Sequence, residues 1–500
     1  MDTLLYSCAQ IRAIEHAAQA RLKPGELMER AGQAATTFAL DLLDGEAAGA
    51  VLVLAGPGNN GGDGLEVAAQ LARQGVTVEV LHLAGERAAS FEAGRALQRA
   101  VDAGVRFVDE IPAGRPWRLV VDALFGIGLA RPLAGRAREL AAWTAQADCP
   151  VLALDVPSGL DADTGAIVGP DGAAVTATHT ITFLGNKPGL HTGDGCDVAG
   201  EVRVNMLGAD GLHTEAAEAV LSAPSLFAEY LEPRRRNSHK GSFGDVVVLG
   251  GARGMAGAAV LAARGALFGG AGRVFAAMLD GGMPLDPMQP EIMFRDAAAL
   301  TFDGRTIVAG PGMGNADAAI HLFGNAMAAG TPLVADADAL NLAGARPELQ
   351  ESLRAHAGPK VLTPHPLEAA RLLGVTASIV QADRLAHARE LAMRLNAVVV
   401  LKGAGSVIAR PDGFVAVNTS GNPGLATGGS GDVLAGFCGA LLAQGWPAWE
   451  AALGAVWMHG AAADWLVDDG AGPIGLTAGE LPKAIRAVYN AVITQACQQR

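Results

Sequence analysis

Residues 50–64, AVLVLAGPGNNGGDG, run an unbroken apolar segment straight into a glycine-rich turn, and Leu- and Ala-rich sequence follows. Such a run reads as a strand buried on both faces, which requires a parallel sheet covered by helices. Gly75, after the stretch Leu65–Gln74, stands where a helix ends in left-handed backbone. The alternation starts at Ala50–Leu54 and continues, with candidate strands at Val76–Leu83, Leu119–Asp122, Val151–Asp155 and Thr180–Leu184. Ahead of them, Cys8–Arg21 and Glu26–Leu43 read as amphipathic helices.

The rhythm breaks after residue 221. Pro224, Pro233 and the basic run Arg234–Arg236 read as an exposed connection. A second α/β series follows, with strands at Asp245–Leu249, Gly272–Met278, Thr306–Ala309, Pro332–Asp336, Lys360–Leu362 and Ala397–Leu401. It closes with helices around Ser430–Ala443, Ala448–Val467 and Ala478–Ala496. The halves share no evident repeat. The expected architecture is therefore α/β, two different three-layer αβα domains at 1–221 and 241–500 with a linker at 222–240.

Composition excludes several function classes. A net charge of −14 over 500 residues argues against a nucleic-acid or anionic-membrane surface. Five scattered cysteines without a CxxC pair point to a reducing compartment and no structural zinc. The opening MDTLLYSCAQ lacks the basic and apolar regions of a lipoprotein signal, and the most apolar helix candidate carries Arg264. A soluble cytoplasmic protein is expected. The Ala- and Gly-rich stretch Ala256–Gly270 could pack against a neighbour, and a homo-oligomer is expected.

Gly56, Gly58 and Gly61 satisfy the dinucleotide pattern G-x-G-x-x-G, with Glu79 in the next strand as the acidic partner of a ribose. A tight structural turn is the alternative. The two amides and the carboxylate of Asn59-Asn60-Gly61-Gly62-Asp63 exceed what a pyrophosphate loop needs. Asp122 and Asp155 each stand where an apolar run stops, at the carboxyl end of a strand, although a single such Asp could equally cap a turn. With Asn60 and Ser158, Asp122 would supply oxygen ligands suiting a hard cation. Lys187 either neutralises a phosphate or is a solvated loop lysine.

The ordered motifs LMERAG (27–32), GPGNNGGDG, VDALFGIGL and LALDVPSGLDADTG resemble the epimerase domain of the NAD(P)H-hydrate repair enzymes, a Rossmann-like fold. The resemblance covers about residues 5–215. It implies that Asn59, Asn60, Gly61, Gly62, Asp63, Gly126, Ile127, Gly128, Leu129, Ala130, Arg131, Pro132 and Asp155 hold the hydrated dinucleotide. It also implies a potassium ion on Asn60, Asp122 and Ser158. Asp155, beside that cation, is the candidate acid–base.

In the second half, Gly428, Gly429 and Gly431 precede a helix, so successive amides can face developing phosphate charge, and Asp432 in the first turn can take a hydroxyl proton. A glycine-rich N-cap with a dipole-favoured Asp is the bland alternative. With HKGSFGDVVVLGG, GPGMG, LTPHPLE and LKGAGS, this motif resembles the ribokinase-like ADP- or ATP-dependent NAD(P)H-hydrate dehydratases over about residues 235–495. That resemblance implies that Ala258, Gly312, His365 and Asp432 contact the hydrate. It implies that Lys402, Gly403, Ala404, Gly405, Ser406 and Gly431 hold the adenine nucleotide, with ADP as co-substrate and Mg2+ beside it. Met255 stands where some relatives carry an aromatic residue.

Both resemblances together imply a two-activity repair protein. One domain would interconvert (R)- and (S)-NAD(P)HX; the other would dehydrate the S form at the expense of ADP, giving AMP and phosphate. The partners are those small molecules, with no nucleic acid and no membrane. The rivals are an ordinary nicotinamide oxidoreductase, a kinase of a small alcohol fused to a binding module, and a dinucleotide-binding scaffold. The phosphoryl-transfer loop argues against the first and the converging carboxylates against the last.

Overall fold

A computed structural model describes residues 3–44, 49–83, 90–112, 114–212, 216–280 and 284–499. The chain divides into two compact units, Met1–Val220 and Leu221–Arg500. Each is α/β and is described by itself.

The described strands up to residue 221 are β1 (Leu4–Leu5), β2 (Ala50–Ala55), β3 (Thr77–His82), β4 (Arg106–Phe107), β5 (Trp117–Ala123), β6 (Val151–Leu154), β7 (His179–Phe183), β8 (Glu201–Asn205) and β9 (Ala219–Leu221). Seven of them form a parallel sheet in the order β4-β3-β2-β5-β6-β7-β8. Every residue of β2 is buried, because helices cover both faces. The strand order reverses between β2 and β5, so their carboxyl ends open a crevice at residues 56–60 and 124–128. The short β1 pairs antiparallel with β9, Leu4 opposite Val220.

Glycine is obligatory at the crevice. A side chain at Gly56 would place its first carbon 1.7 Å from the Leu124 carbonyl oxygen, and one at Gly61 would lie 1.9 Å from the Gly56 oxygen. The loop and the helix Asn59–Arg73 are thus packed backbone on backbone.

The second unit holds β10 (Asp245–Gly250), β11 (Arg273–Met278), β12 (Met293–Asp296), β13 (Thr306–Ala309), β14 (Leu333–Ala335), β15 (Lys360–Leu362), β16 (Val398–Leu401), β17 (Val407–Ala409) and β18 (Val415–Val417). From β12 through β11, β10, β13, β14 and β15 to β16 the pairing is parallel; β17 and β18 continue the sheet antiparallel. Helices Ala256–Phe268 and Ser430–Ala443 approach closely through small residues, since a side chain on Gly436 would come within 1.9 Å of the Ala262 oxygen. The small residues that suggested a contact with a neighbour therefore serve this internal contact. Arg264, on the same helix, is held by buried Asp286 through two bonds of 2.7 and 2.8 Å.

The stretch read as an exposed connection divides in two. Residues 232–241 are exposed, but Phe227 and Leu231 are fully buried, and the Phe227 ring lies 6.1 Å from Trp446 and 6.2 Å from Trp457. An aromatic anchor overrides the proline signal, so Pro224–Leu226 and Ala228–Tyr230 are 3-10 turns packed on the second unit. Phe227→Ala should therefore destabilise that unit by about 3–5 kcal/mol, read as a lowered denaturant midpoint. A change within about 0.5 kcal/mol would return the segment to the status of a plain linker.

Candidate active sites

The first site is a cleft of about 1190 Å³ at the carboxyl edge of the first sheet. Asn59, Asn60, Asp63, the whole run Gly126–Pro132 and Asp155 line it together. Gly61 and Gly62 do not; they turn inward, and a side chain on Gly62 would strike Met28 at 2.6 Å. Arg12 and Glu15, from the first leading helix, also line the cleft and were not singled out from the sequence; Met28, from the LMERAG motif on the second, joins them. Their helical spacing shows a buried face but not what that face abuts.

Asp155 follows β6 in left-handed backbone, φ +68°, an unfavourable conformation for a residue with a side chain. Its Oδ1 lies 2.8 Å from Lys187 Nζ, while Oδ2 faces Gly126, 3.3 Å from where a side-chain carbon there would sit. Lys187 is completely buried, so neither expectation for it holds. Its ammonium also donates to Thr182 Oγ1 at 2.7 Å and to the Phe183 carbonyl at 2.9 Å. A buried cation needs such partners, and here they include the carboxylate.

Burial, reinforced by Asp155 and Glu15, pushes Asp63 well above the usual carboxylate range. Glu79 cannot hold a ribose: it lies mid-strand, is buried, and is paired with Arg106 and Arg115. Glu66 is buried as well and paired with Arg99, away from the loop.

Asp122 and Ser158 meet at the rim of this sheet. Asp122 Oδ1 accepts from Ser158 Oγ at 2.7 Å and Oδ2 from the Ser158 amide at 2.8 Å. Burial raises Asp122 to about 6 against these bonds. Asn60 is buried beside the same turn, 3.4 Å from a side-chain carbon placed on Gly126, and its amide oxygen and nitrogen have no hydrogen-bond partner among the described residues. One carboxylate with neutral oxygens and an unsatisfied amide suits a monovalent hard cation. No group of three or more His, Cys, Asp or Glu side chains suited to a metal occurs among the described residues.

In the second unit the marked residues follow the carboxyl ends of successive strands: Gly312 after β13, Asp336 after β14, His365 after β15 and Lys402 after β16. Gly312 is left-handed at φ +59° and closes on Ala258, 3.2 Å from its Cβ, and on the Met255 oxygen, 2.4 Å away, measured from a side-chain carbon placed there. His365 caps the helix Pro366–Leu373: the Leu367 amide donates to its Nδ1 at 3.1 Å, and Nε2 lies 3.2 Å from Glu368 Oε1. Burial and Lys402 hold His365 below its ordinary value, so the ring is neutral with its proton on Nε2.

Residues 402–406 form a turn with Gly403 at φ +142° and Gly405 at φ +60°. Ser406 Oγ donates to the Gly403 carbonyl at 3.0 Å, and buried Arg384 donates to the carbonyls of Leu401 and Lys402. Gly429, φ +94°, starts the helix Ser430–Ala443, and Asp432 sits in its first turn. Burial pushes Asp432 up to about 7, with Asp336 adding to the rise and Lys402 opposing it. Asp336, 2.6 Å from Lys402 Nζ, stands in a motif visible in the sequence, Val-Ala-Asp336-Ala-Asp338, to which the sequence alone assigned no role.

Residues 24–189 match the family described as YjeF-related protein N-terminus, and residues 246–486 the family described as NAD(P)H-hydrate dehydratase. The chain is 37% identical to the bifunctional NAD(P)H-hydrate repair enzyme of Coxiella burnetii over 98% of its own length and 100% of that enzyme. It is also 37% identical to the Escherichia coli K12 protein of that description, over 94% of this chain and 90% of the other. The ADP-dependent (S)-NAD(P)H-hydrate dehydratase of Neisseria meningitidis is 43% identical over 56% of this chain and 97% of its own. Among solved structures, the Bacillus subtilis ADP/ATP-dependent NAD(P)H-hydrate dehydratase, co-crystallized with ATP and Mg2+, covers 54% of this chain and 98% of its own at 30% identity, with a TM-score of 0.47. With such identity sustained over nearly its whole length, the chain belongs to the family of bifunctional NAD(P)H-hydrate repair enzymes.

Proposed function

We propose that residues 1–221 interconvert (R)- and (S)-NAD(P)HX and that residues 241–500 convert (S)-NAD(P)HX to NAD(P)H at the expense of ADP, leaving AMP and phosphate. The observation that carries this reading is the pairing of two distinct sites on one chain. One is a dinucleotide-sized cleft with an anchored carboxylate, Asp155; the other is a glycine-capped helix whose Asp432 is raised to about 7.

Hydration puts a hydroxyl on C6 of the nicotinamide ring and a hydrogen on C5. Hydroxide leaves poorly and phosphate leaves well, so the hydroxyl is first phosphorylated. Asp432 takes the hydroxyl proton as that oxygen attacks the β-phosphorus of ADP and the bond to AMP breaks. The amides of Gly429–Gly431 receive the charge growing on the phosphoryl oxygens. Departure of phosphate from C6 with the C5 proton then restores the ring double bond. Lys402, Gly403, Ala404, Gly405, Ser406 and Gly431 hold the nucleotide; Ala258, Gly312 and His365 hold the hydrate. Mg2+ accompanying the nucleotide supplies neutralisation of its phosphates.

In the first domain, C6 carries both the ring nitrogen and the hydroxyl, so its configuration is lost when one of these bonds opens and reset when it closes. Asp155 exchanges the hydroxyl proton. Asn59–Asp63 and Gly126–Pro132 hold the dinucleotide. A potassium ion on Asn60, Asp122 and Ser158 supplies fixed positive charge beside the acid–base.

Four outcomes are expected. On (S)-NADHX with ADP and Mg2+, recovery of the near-ultraviolet absorbance of NADH should fall about 10²-fold or more in Asp432→Asn. In the wild type, kcat/KM should rise with pH through about 7 and level off above it, because the carboxylate form is the base; a flat profile there removes Asp432 from that role. On the R epimer, Asp155→Asn should slow recovery by about 10²-fold while the S epimer is processed normally; equal rates on both would sink the assignment. Replacing potassium by a large organic cation should lower the unfolding midpoint of the first unit by about 2–4 °C, roughly 1 kcal/mol for a domain of this size, and not in Asn60→Ala.

A further inference from the structure

Asp336 stands at the N-cap of the helix Ala337–Ala345, where an aspartate ordinarily accepts from the backbone amides of the first turn. It makes no such bond. Its carboxylate instead reaches Lys402 Nζ at 2.6 Å, almost fully buried, and the next residue, Ala337, takes left-handed backbone at φ +47°. An alanine in that region is strained, and a forgone cap adds to the cost. A buried ion pair is weak as a source of stability, so this arrangement calls for another explanation.

The location of the pair provides one. A side chain on Gly431 would place its first carbon 3.2 Å from Lys402 Nζ and 4.0 Å from Asp336 Oδ2. The ammonium therefore occupies the space over the glycine turn whose amides open the helix of Asp432. We infer that Asp336 is a positioning residue of the dehydratase: it fixes the Lys402 ammonium over the Gly429–Gly431 turn, facing the phosphoryl group in transfer, and keeps it from closing onto Asp432 as an ion pair that would disable the base. This rests on the reading of Asp432 as the base.

The charges around the site fit that division. Asp432 is faced by Asp336 and Asp338 from the helix after β14 and by Lys402 from the turn after β16. Lys402 is faced by Asp336, Glu368 and Asp432. Asp338 is occupied with the Gly314 amide at 2.8 Å, and Glu368 with the His365 amide at 2.8 Å. His365 and Arg371 lie on the same side as Glu368. From Ala448–Asp468, His459 meets the Ser430 oxygen; burial holds it at about 4, so it is neutral at working pH. Asp336 alone among these carboxylates is bonded to the ammonium.

The test is the pH profile of kcat/KM for phosphate release from (S)-NADHX and ADP, measured on the full chain. Asp336→Asn removes a repulsion from Asp432 and frees Lys402 to approach it. The acid limb should move below its wild-type position near 7 by about one unit, and the plateau kcat should drop about 10²-fold. Lys402→Met removes an attraction, so its limb should move up. Glu368→Gln should leave the limb in place, although Glu368 also titrates at about 7. If Asp336→Asn does not accumulate as folded protein, the double variant Asp336→Asn/Lys402→Met answers instead, because removing both charges of a buried pair is better tolerated than removing one. Its limb should lie below that of Lys402→Met. Limbs of Asp336→Asn and Lys402→Met that move together or not at all, a limb that follows Glu368→Gln, or a double variant coinciding with Lys402→Met would each overturn the inference. A wild type that releases no phosphate from (S)-NADHX with ADP overturns the functional reading beneath it; an active wild type with a stationary limb in the variants overturns this inference alone.

Discussion

A parallel sheet covered on both faces leaves its chemistry one place to go. Side chains along the central strands of both sheets are buried, mostly among apolar neighbours, so polar groups gather where the strands stop and the backbone turns outward. Gly56–Asn60, Asp122, Asp155, Gly312, Asp336, His365 and Lys402 all occupy such positions. The close fit of loop backbones at Gly56 and Gly61, and of two helices at Gly436, brings those ends near enough to form sites.

Several of the carboxylates that enter this interior are paired with a cation, and the kind of cation separates structural from chemical ones. Glu66, Glu79 and Asp286 each answer an arginine and are not among the residues that line the first cleft. Asp155 and Asp336 each answer a lysine and stand at a site. The difference follows from the cations. A guanidinium can fix a carboxylate from the protein edge while keeping part of itself in water, whereas a buried ammonium is a point charge that must be ringed by oxygens. Lys187 collects a carboxylate, a hydroxyl and carbonyls, so the Asp155 position is determined from several directions at once.

How much of this was legible follows the range of each signal. Strands such as Thr306–Ala309 and Lys360–Leu362 and the helix Ser430–Ala443 are bounded as expected, because apolar runs and glycine stops are local. The short strands Arg106–Phe107 and Glu201–Asn205 carry no apolar run and are strands because a sheet edge offers them partners. Phe227 was hidden behind two prolines; nothing local says that a ring will find Trp446 and Trp457 more than two hundred residues on. Lys187 was ambiguous for the same reason, since the Gly-Asn-Lys-Pro-Gly sequence around it looks like any exposed turn. Asp336 lies in a motif visible in the sequence but carried no role there, because its missing cap bond and its lysine partner sixty-six residues on are not local signals.

The two sites hold their carboxylates by opposite means, and the means suit the work. Asp155 is gripped through one oxygen by a buried ammonium while the other faces the cleft, as befits a group that must pass a proton in both directions without changing place. Asp432 is gripped by nothing comparable among the described residues; desolvation and the neighbouring Asp336 raise it to about 7, which makes it a usable base at neutral pH. A closer ammonium would lower that value and weaken the base, yet the phosphoryl group needs positive charge nearby. Placing Lys402 on Asp336 rather than on Asp432 meets both demands, since the cation stays over the glycine turn while its charge is partly offset toward the base.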